Sequence, residues 1–112
     1  MNRKFALVKI NELPLTKEEL KKRASGNWGI TQPKMANIEY VIVTFRTEVV
    51  AVYKLKNIFE SNEEWGTRNK RKPRLAFELE ETESYKEYLN QRINTRASNP
   101  ISTILEKDIQ FK

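Results

Sequence analysis

The chain of 112 residues contains no cysteine and no histidine. The first absence removes disulfides, thiolate nucleophiles and zinc–thiolate sites together. The second removes the commonest general acid or base near neutral pH, and with it triads of the Ser-His-Asp and Cys-His type. Aspartate is almost missing too. Asp108 is the single one, so sites that gather several aspartates around Mg²⁺ are poor candidates. No apolar run approaches the ~20 residues of a membrane-spanning helix. The run after the basic start, residues 5–8, is too short for the core of a secretion signal. These absences predict a cytoplasmic, non-enzymatic protein with no membrane partner, no cofactor and no metal.

What is present is 38 % hydrophobic and 32 % charged, with the apolar residues gathered in short β-rich runs rather than diluted along the chain. A chain of this size forms one domain, residues 1–112, around a modest core. Lysine and arginine number 21 against 15 acids, a net charge of +6. Such a balance favours phosphate-rich partners through counterion release, but it also describes an ordinary solvated surface, so clustering of the charge decides between the two.

Residues 5–10 read as a first strand. Thr16 and Glu19 form a capping box opening a helix over 17–24, with Leu15 and Leu20 placed for a hydrophobic staple and Gly26 for the C-terminal cap. Pro33 starts a short helix to about residue 37. Residues 39–45 and 48–55 are the strongest β signals, with both faces largely apolar, so they belong at the centre of a sheet or barrel. Arg46-Thr47 is poor chemistry for a two-residue type I′ turn, which predicts a longer loop or a bulge there. Residues 56–73 read as the longest loop and 75–79 as a fourth strand. A second capping box at Ser84 and Glu87 predicts a helix to about residue 92. Residues 101–105 and 109–111 are closing strands, with a short helix over 102–107 as the alternative. The fold class is α+β: a small mixed sheet, or a partly closed barrel, with two to three peripheral helices.

The segment 68–74 carries five cations, Arg68, Lys70, Arg71, Lys72 and Arg74, and no acid. A loop of this kind grips phosphates, and Trp65 just upstream offers a face for a base. The competing readings are a solvated loop or a counterweight to Glu78, Glu80, Glu81 and Glu83. Trp28, between glycines, is either a stacking platform or a plug at the end of the core. Arg46 at the hairpin tip is a phosphate contact or a turn residue. Arg92 and Arg96 flank polar residues able to meet a phosphate or a base edge, or simply mark a helix end. The residual enzymatic reading, a metal-dependent nuclease, would rest on Glu78, Glu80 and Lys54.

Trp28, residues 40–45, residues 49–53 and residues 75–80 together resemble PUA-like domains, the superfamily with EVE-, ASCH- and YTH-type modules. Gly26 to Trp28, Glu39-Tyr40, Val49 to Tyr53, Phe77-Glu78 and Asn99 to Ile101 are similar to a series in small bacterial and phage proteins of unassigned role. The PUA-like resemblance implies a partly closed β-barrel that binds RNA or modified-base nucleic acid, with Trp28 in a pocket and the 68–74 loop on the backbone. The expected function is a nucleic-acid-binding module for DNA or RNA. The alternative is a phage-encoded inhibitor or regulator that docks on an acidic host enzyme of defence or nucleic-acid processing.

Overall fold

A computed structural model describes the backbone of residues 3–65, 72–94 and 100–111, and the side chains of all of these but 62–65. Strands β1 (Lys4–Ile10), β2 (Tyr40–Phe45), β3 (Glu48–Trp65), β4 (Lys72–Glu81) and β5 (Ile101–Leu105) form one mixed sheet in the order β4-β3-β2-β1-β5. β1 and β2 are parallel, and every other pairing is antiparallel. A parallel pair needs a crossover, and helix α1 (Lys17–Ser25) lies in it. The fold is α+β with an open sheet. The expected two to three helices reduce to one α-helix among the described residues, joined by 3-10 turns at Gln32–Met35, Lys86–Tyr88 and Glu106–Asp108. No described helix is long and apolar enough to cross a membrane.

α1 begins as its sequence dictates. The Thr16 hydroxyl accepts the Glu19 N–H at 3.1 Å, Glu18 and Glu19 sit in the first turn, and Lys22 and Arg23 sit in the last. The staple does not form. Leu20 turns into the core instead, leaving Leu15 97 % exposed. Gly26 is extended rather than left-handed, and a side chain there would meet only the Lys22 carbonyl at 3.6 Å, so the helix end does not require glycine.

β2 is third in the sheet, and its four central residues are buried on both faces. One face packs Ala6, Val8, Val41 and Val43 against Ala24 of α1 and Met35. The other packs Phe5, Leu7, Ile42, Val49 and Val52 against Ile93. Val49 and Ala51, which simple alternation puts on one face, lie on opposite faces. A register shift after Val43 pairs Thr44 with Val49 and Val43 with Ala51, so Val50 is an extra residue and the side-chain period slips there.

Of the longer loop or bulge expected at the β2–β3 connection, the loop is absent and the bulge lies beside the turn, at Val50. Phe45 pairs directly with Glu48, leaving Arg46 and Thr47 as a two-residue turn with φ of 52° and 70°. Positive φ is costly for a β-branched residue. The turn is braced from outside: the Arg46 carbonyl accepts from the Arg92 guanidinium at 3.3 Å and the Thr47 carbonyl accepts from the Ile93 N–H at 2.9 Å.

Two further expectations give way. The helix expected from Ser84 is one 3-10 turn, because Tyr85 has φ 62° and the following chain hydrogen-bonds β3 instead (Val49 N–H to Gln91 carbonyl, Asn90 N–H to Val49 carbonyl). The expected long loop is mostly strand. β3 runs 18 residues and pairs with β4 as far as Trp65 and Lys72, with register shifts at 55/57 and 60/64. Ile58 still packs on the core opposite buried Phe77, but the two register shifts break the alternation of apolar and polar residues along β3, so the periodic signal is missing. Of the closing strands, β5 forms, while Phe111 makes only an isolated bridge to Ile93.

Replacing Thr47 by glycine relieves the left-handed strain and is expected to stabilise the protein by about 1 kcal/mol. In urea unfolding the midpoint rises with an unchanged slope; a lower midpoint would contradict the strained-turn account. Ile93→Ala empties a fully buried site and is expected to cost about 2–4 kcal/mol in the same assay.

Candidate functional site

The corner where α1, residues 27–30 and β4 meet is organised by Trp28. Its N–H donates to the Leu75 carbonyl at 2.8 Å and its carbonyl accepts from the Leu75 N–H at 3.0 Å, a short antiparallel bridge that covers the outer edge of β4. The indole Nε1 donates to the Ala24 carbonyl at 2.8 Å. That carbonyl belongs to the last turn of α1, where no helical N–H remains to meet it. The half-buried ring packs on the core of the α1 face. Trp28 is therefore a plug, and the same segment forms the wall of a cavity.

This cavity, of about 780 Å³, lies between Trp28 and Gly29 on one side and Ile101, Ser102 and Thr103 of β5 on the other, with Lys34 and Arg74 in its lining. No carboxylate is among its described lining residues. Arg74 is half-buried and donates from Nη1 to the Asn27 carbonyl at 3.0 Å, which aims the guanidinium toward the 27–30 segment. A second cavity of about 480 Å³ is lined by Thr31, Gln32, Lys72 and one acid, Glu60; it shares Ile30 with the first. Lys72 and Arg74 are two residues apart on one strand and so share a face of the sheet.

Of the residues singled out by sequence, Lys72, Arg74 and Trp28 come together here. Arg68, Lys70, Arg71 and Arg96 lie outside the described residues, as does the side chain of Trp65, whose backbone pairs with Lys72. Arg46 and Arg92 are elsewhere. Arg46 lies over the Phe45 ring at 5.2 Å and Arg92 bonds the Arg46 carbonyl, so the pair braces the β2–β3 turn. Lys34 joins the site although nothing in its sequence neighbourhood marks it; only the fold brings the Pro33-Lys34 turn beside β5.

An aromatic cluster was also not legible as a unit. Phe5 meets Tyr85 edge-on at 5.0 Å, Tyr40 meets Tyr85 at 5.1 Å, and Tyr88 meets Phe111 at 5.1 Å. Arg3 lies 5.2 Å above Tyr40 while pairing with Glu39 at 3.0 Å. Burial pushes the Tyr85 and Tyr88 phenols above their ordinary range. The cluster covers the second sheet face, and Arg3 already occupies the ring surface a ligand cation would use.

The carboxylates considered for metal chemistry are arranged as cross-strand pairs. Glu80 lies opposite Lys54 and is bonded by Lys56 at 3.0 Å, a hydrogen bond and charge that hold its carboxyl below the usual range, while Glu78 lies opposite Asn57. Among the described residues, no three acids converge as a metal site requires.

If Trp28 is a plug, Trp28→Phe strands the Ala24 carbonyl and is expected to cost about 1–3 kcal/mol in chemical denaturation. A surface stacking platform would instead tolerate the change without loss of stability. Comparison of the chain with protein-family models, curated proteins and solved structures gives no match, so no residue's role here is carried over from another protein.

Proposed function

We propose that the chain is a PUA-like nucleic-acid-binding module whose phosphate contacts run from the β3–β4 connection into the Trp28 corner. One observation carries this reading: Lys72, Arg74 and Lys34 line two adjoining cavities that hold a single described acid, Glu60. In sequence, Lys72 continues the run Arg68, Lys70 and Arg71. Phosphates need donors and positive charge along a track, not isolated cations. Support for the PUA-like part comes from the large cavity, which is lined by Arg74 of β4 and by Ile101, Ser102 and Thr103 of β5, the two outer strands of the sheet. Bases have the Gly29 backbone, the Thr103 side chain on the Trp28 face of the sheet and the exposed part of the Trp28 ring bordering the same space.

The test is fluorescence anisotropy with single- and double-stranded DNA and RNA at two or more salt concentrations. Replacing Arg68, Lys70, Arg71, Lys72 and Arg74 by glutamine is expected to abolish binding at moderate salt. Single replacements of Lys34 or Lys72 are expected to lower the log–log salt slope by roughly 0.7–0.9 for each contact removed. An unchanged affinity and slope in the fivefold variant, with its melting transition intact, sinks the proposal.

A further inference from the structure

Ile101, Ser102 and Thr103 of the outer strand β5 line the large cavity, and no described residue bonds the outward backbone groups of this strand. Lys9 N–H donates to the Pro100 carbonyl and Glu106 N–H to the Arg3 carbonyl, on either side of an unbroken register from Val8↔Ile101 to Lys4↔Leu105. Antiparallel pairs alternate between bonded and non-bonded. Ser102 and Ile104 therefore bond β1, and the N–H and C=O of Ile101 and Thr103 point away from it. Among the described residues nothing meets these groups.

The two edges of the sheet are treated differently. β4 is guarded by the Trp28 bridge, by Pro73 and by two register shifts against β3. β5, Ile-Ser-Thr-Ile-Leu, has no charge, no proline and no register shift. An edge of that kind is a template for another strand. The same cavity is lined by Lys34 and Arg74, with no carboxylate among its described lining residues.

We propose that this groove takes an extended, acidic segment of a partner protein as an added strand. The segment pairs its backbone with Ile101 and Thr103 and sets its carboxylates against Lys34 and Arg74. Nucleic acid does not suit the edge itself, because each N–H there has a carbonyl oxygen beside it that repels phosphate but pairs with a peptide. A second copy suits it poorly as well. Its β5 carries β1 about 4.8 Å behind it, so a sheet edge rather than a lone strand would have to enter between β5 and Trp28. It would also bring its own Lys34 and Arg74. The proposal is independent of the nucleic-acid reading, although the two ligands share those two cations and compete for them.

The probe is a library of random ten-residue segments displayed on phage, selected on the immobilised protein at low salt. The expected winners are acidic and rich in β-formers. A synthetic winner is expected to slow amide exchange at Ile101 and Thr103 and to bind about tenfold more weakly to Thr103→Pro, the loss of one backbone hydrogen bond. Proline there removes an outward N–H, so no bond to β1 is lost. The double variant Lys34→Gln/Arg74→Gln, which leaves β5 untouched, is expected to lose the preference for acidic segments. Failure to enrich any segment overturns the proposal, as does enrichment of basic ones, undiminished binding to both variants, or unchanged exchange at the two amides. An oligonucleotide that slows those amides while no segment is enriched would also overturn it and give the edge to nucleic acid. Loss of nucleic-acid binding in the fivefold arginine and lysine variant is a separate result and bears only on the earlier reading.

Discussion

Two-sided burial of β1 and β2 is the constraint on which the rest of the structure depends. Phe5, Leu7, Val41, Ile42 and Val43 are between 0 and 1 % exposed, and they point to both faces. Each face must then be covered by something else in a chain this short. α1 and residues 30–38 cover one face. The other is covered by an irregular stretch around Tyr85, Tyr88 and Ile93 together with Ile109 and Phe111. Irregular chain laid on a sheet must satisfy its own backbone. It does so through β3 and through the strained Arg46-Thr47 turn, which explains why that turn survives without glycine or asparagine.

The same economy shapes the Trp28 corner. α1 ends with an open carbonyl at Ala24, β4 has an open edge at Leu75, and one residue answers both. Residues 27–30 are thereby fixed, and the cavity with Lys34 and Arg74 is the space left between that fixed segment and β5. Cavity and core plug are two sides of one arrangement. Trp28 is held both by its ring nitrogen and by its backbone.

Sequence made some of this legible and hid the rest for identifiable reasons. β1, β2, β5 and α1 could be read because each carries a local signal: β-branched runs, or the Thr16–Glu19 cap. The facing of Val49 could not, since a bulge shifts the period without any glycine or proline to mark it. Ser84 to Glu87 has the letters of a capping box, yet contacts of Tyr85 and Tyr88 with Phe5, far away in the chain, outweigh a preference of about 1 kcal/mol. At the site, Trp28, Lys72 and Arg74 stood out by composition. Lys34 and the β5 edge did not, because their meaning is a matter of what the fold sets opposite them.

Charge along β4 bears on whether its cations are available at all. A run of arginines and lysines next to Glu78, Glu80 and Glu81 would be of little use to a polyanion if the two sets neutralised one another. The ladder argues against that. Glu80 is matched from β3, by Lys56 through an ion pair and by Lys54 across the register. Among the described residues, Arg74 bonds the Asn27 carbonyl and no acid. From Arg74 to Glu80 is six residues of strand, about 20 Å, against a Debye length of about 8 Å at physiological salt. Glu80 is thus paired within its own hairpin, while Lys72 and Arg74 at the other end of β4 line cavities whose single described acid is Glu60. Along β4, Lys72 and Arg74 thus stand at one end and Glu78, Glu80 and Glu81 at the other.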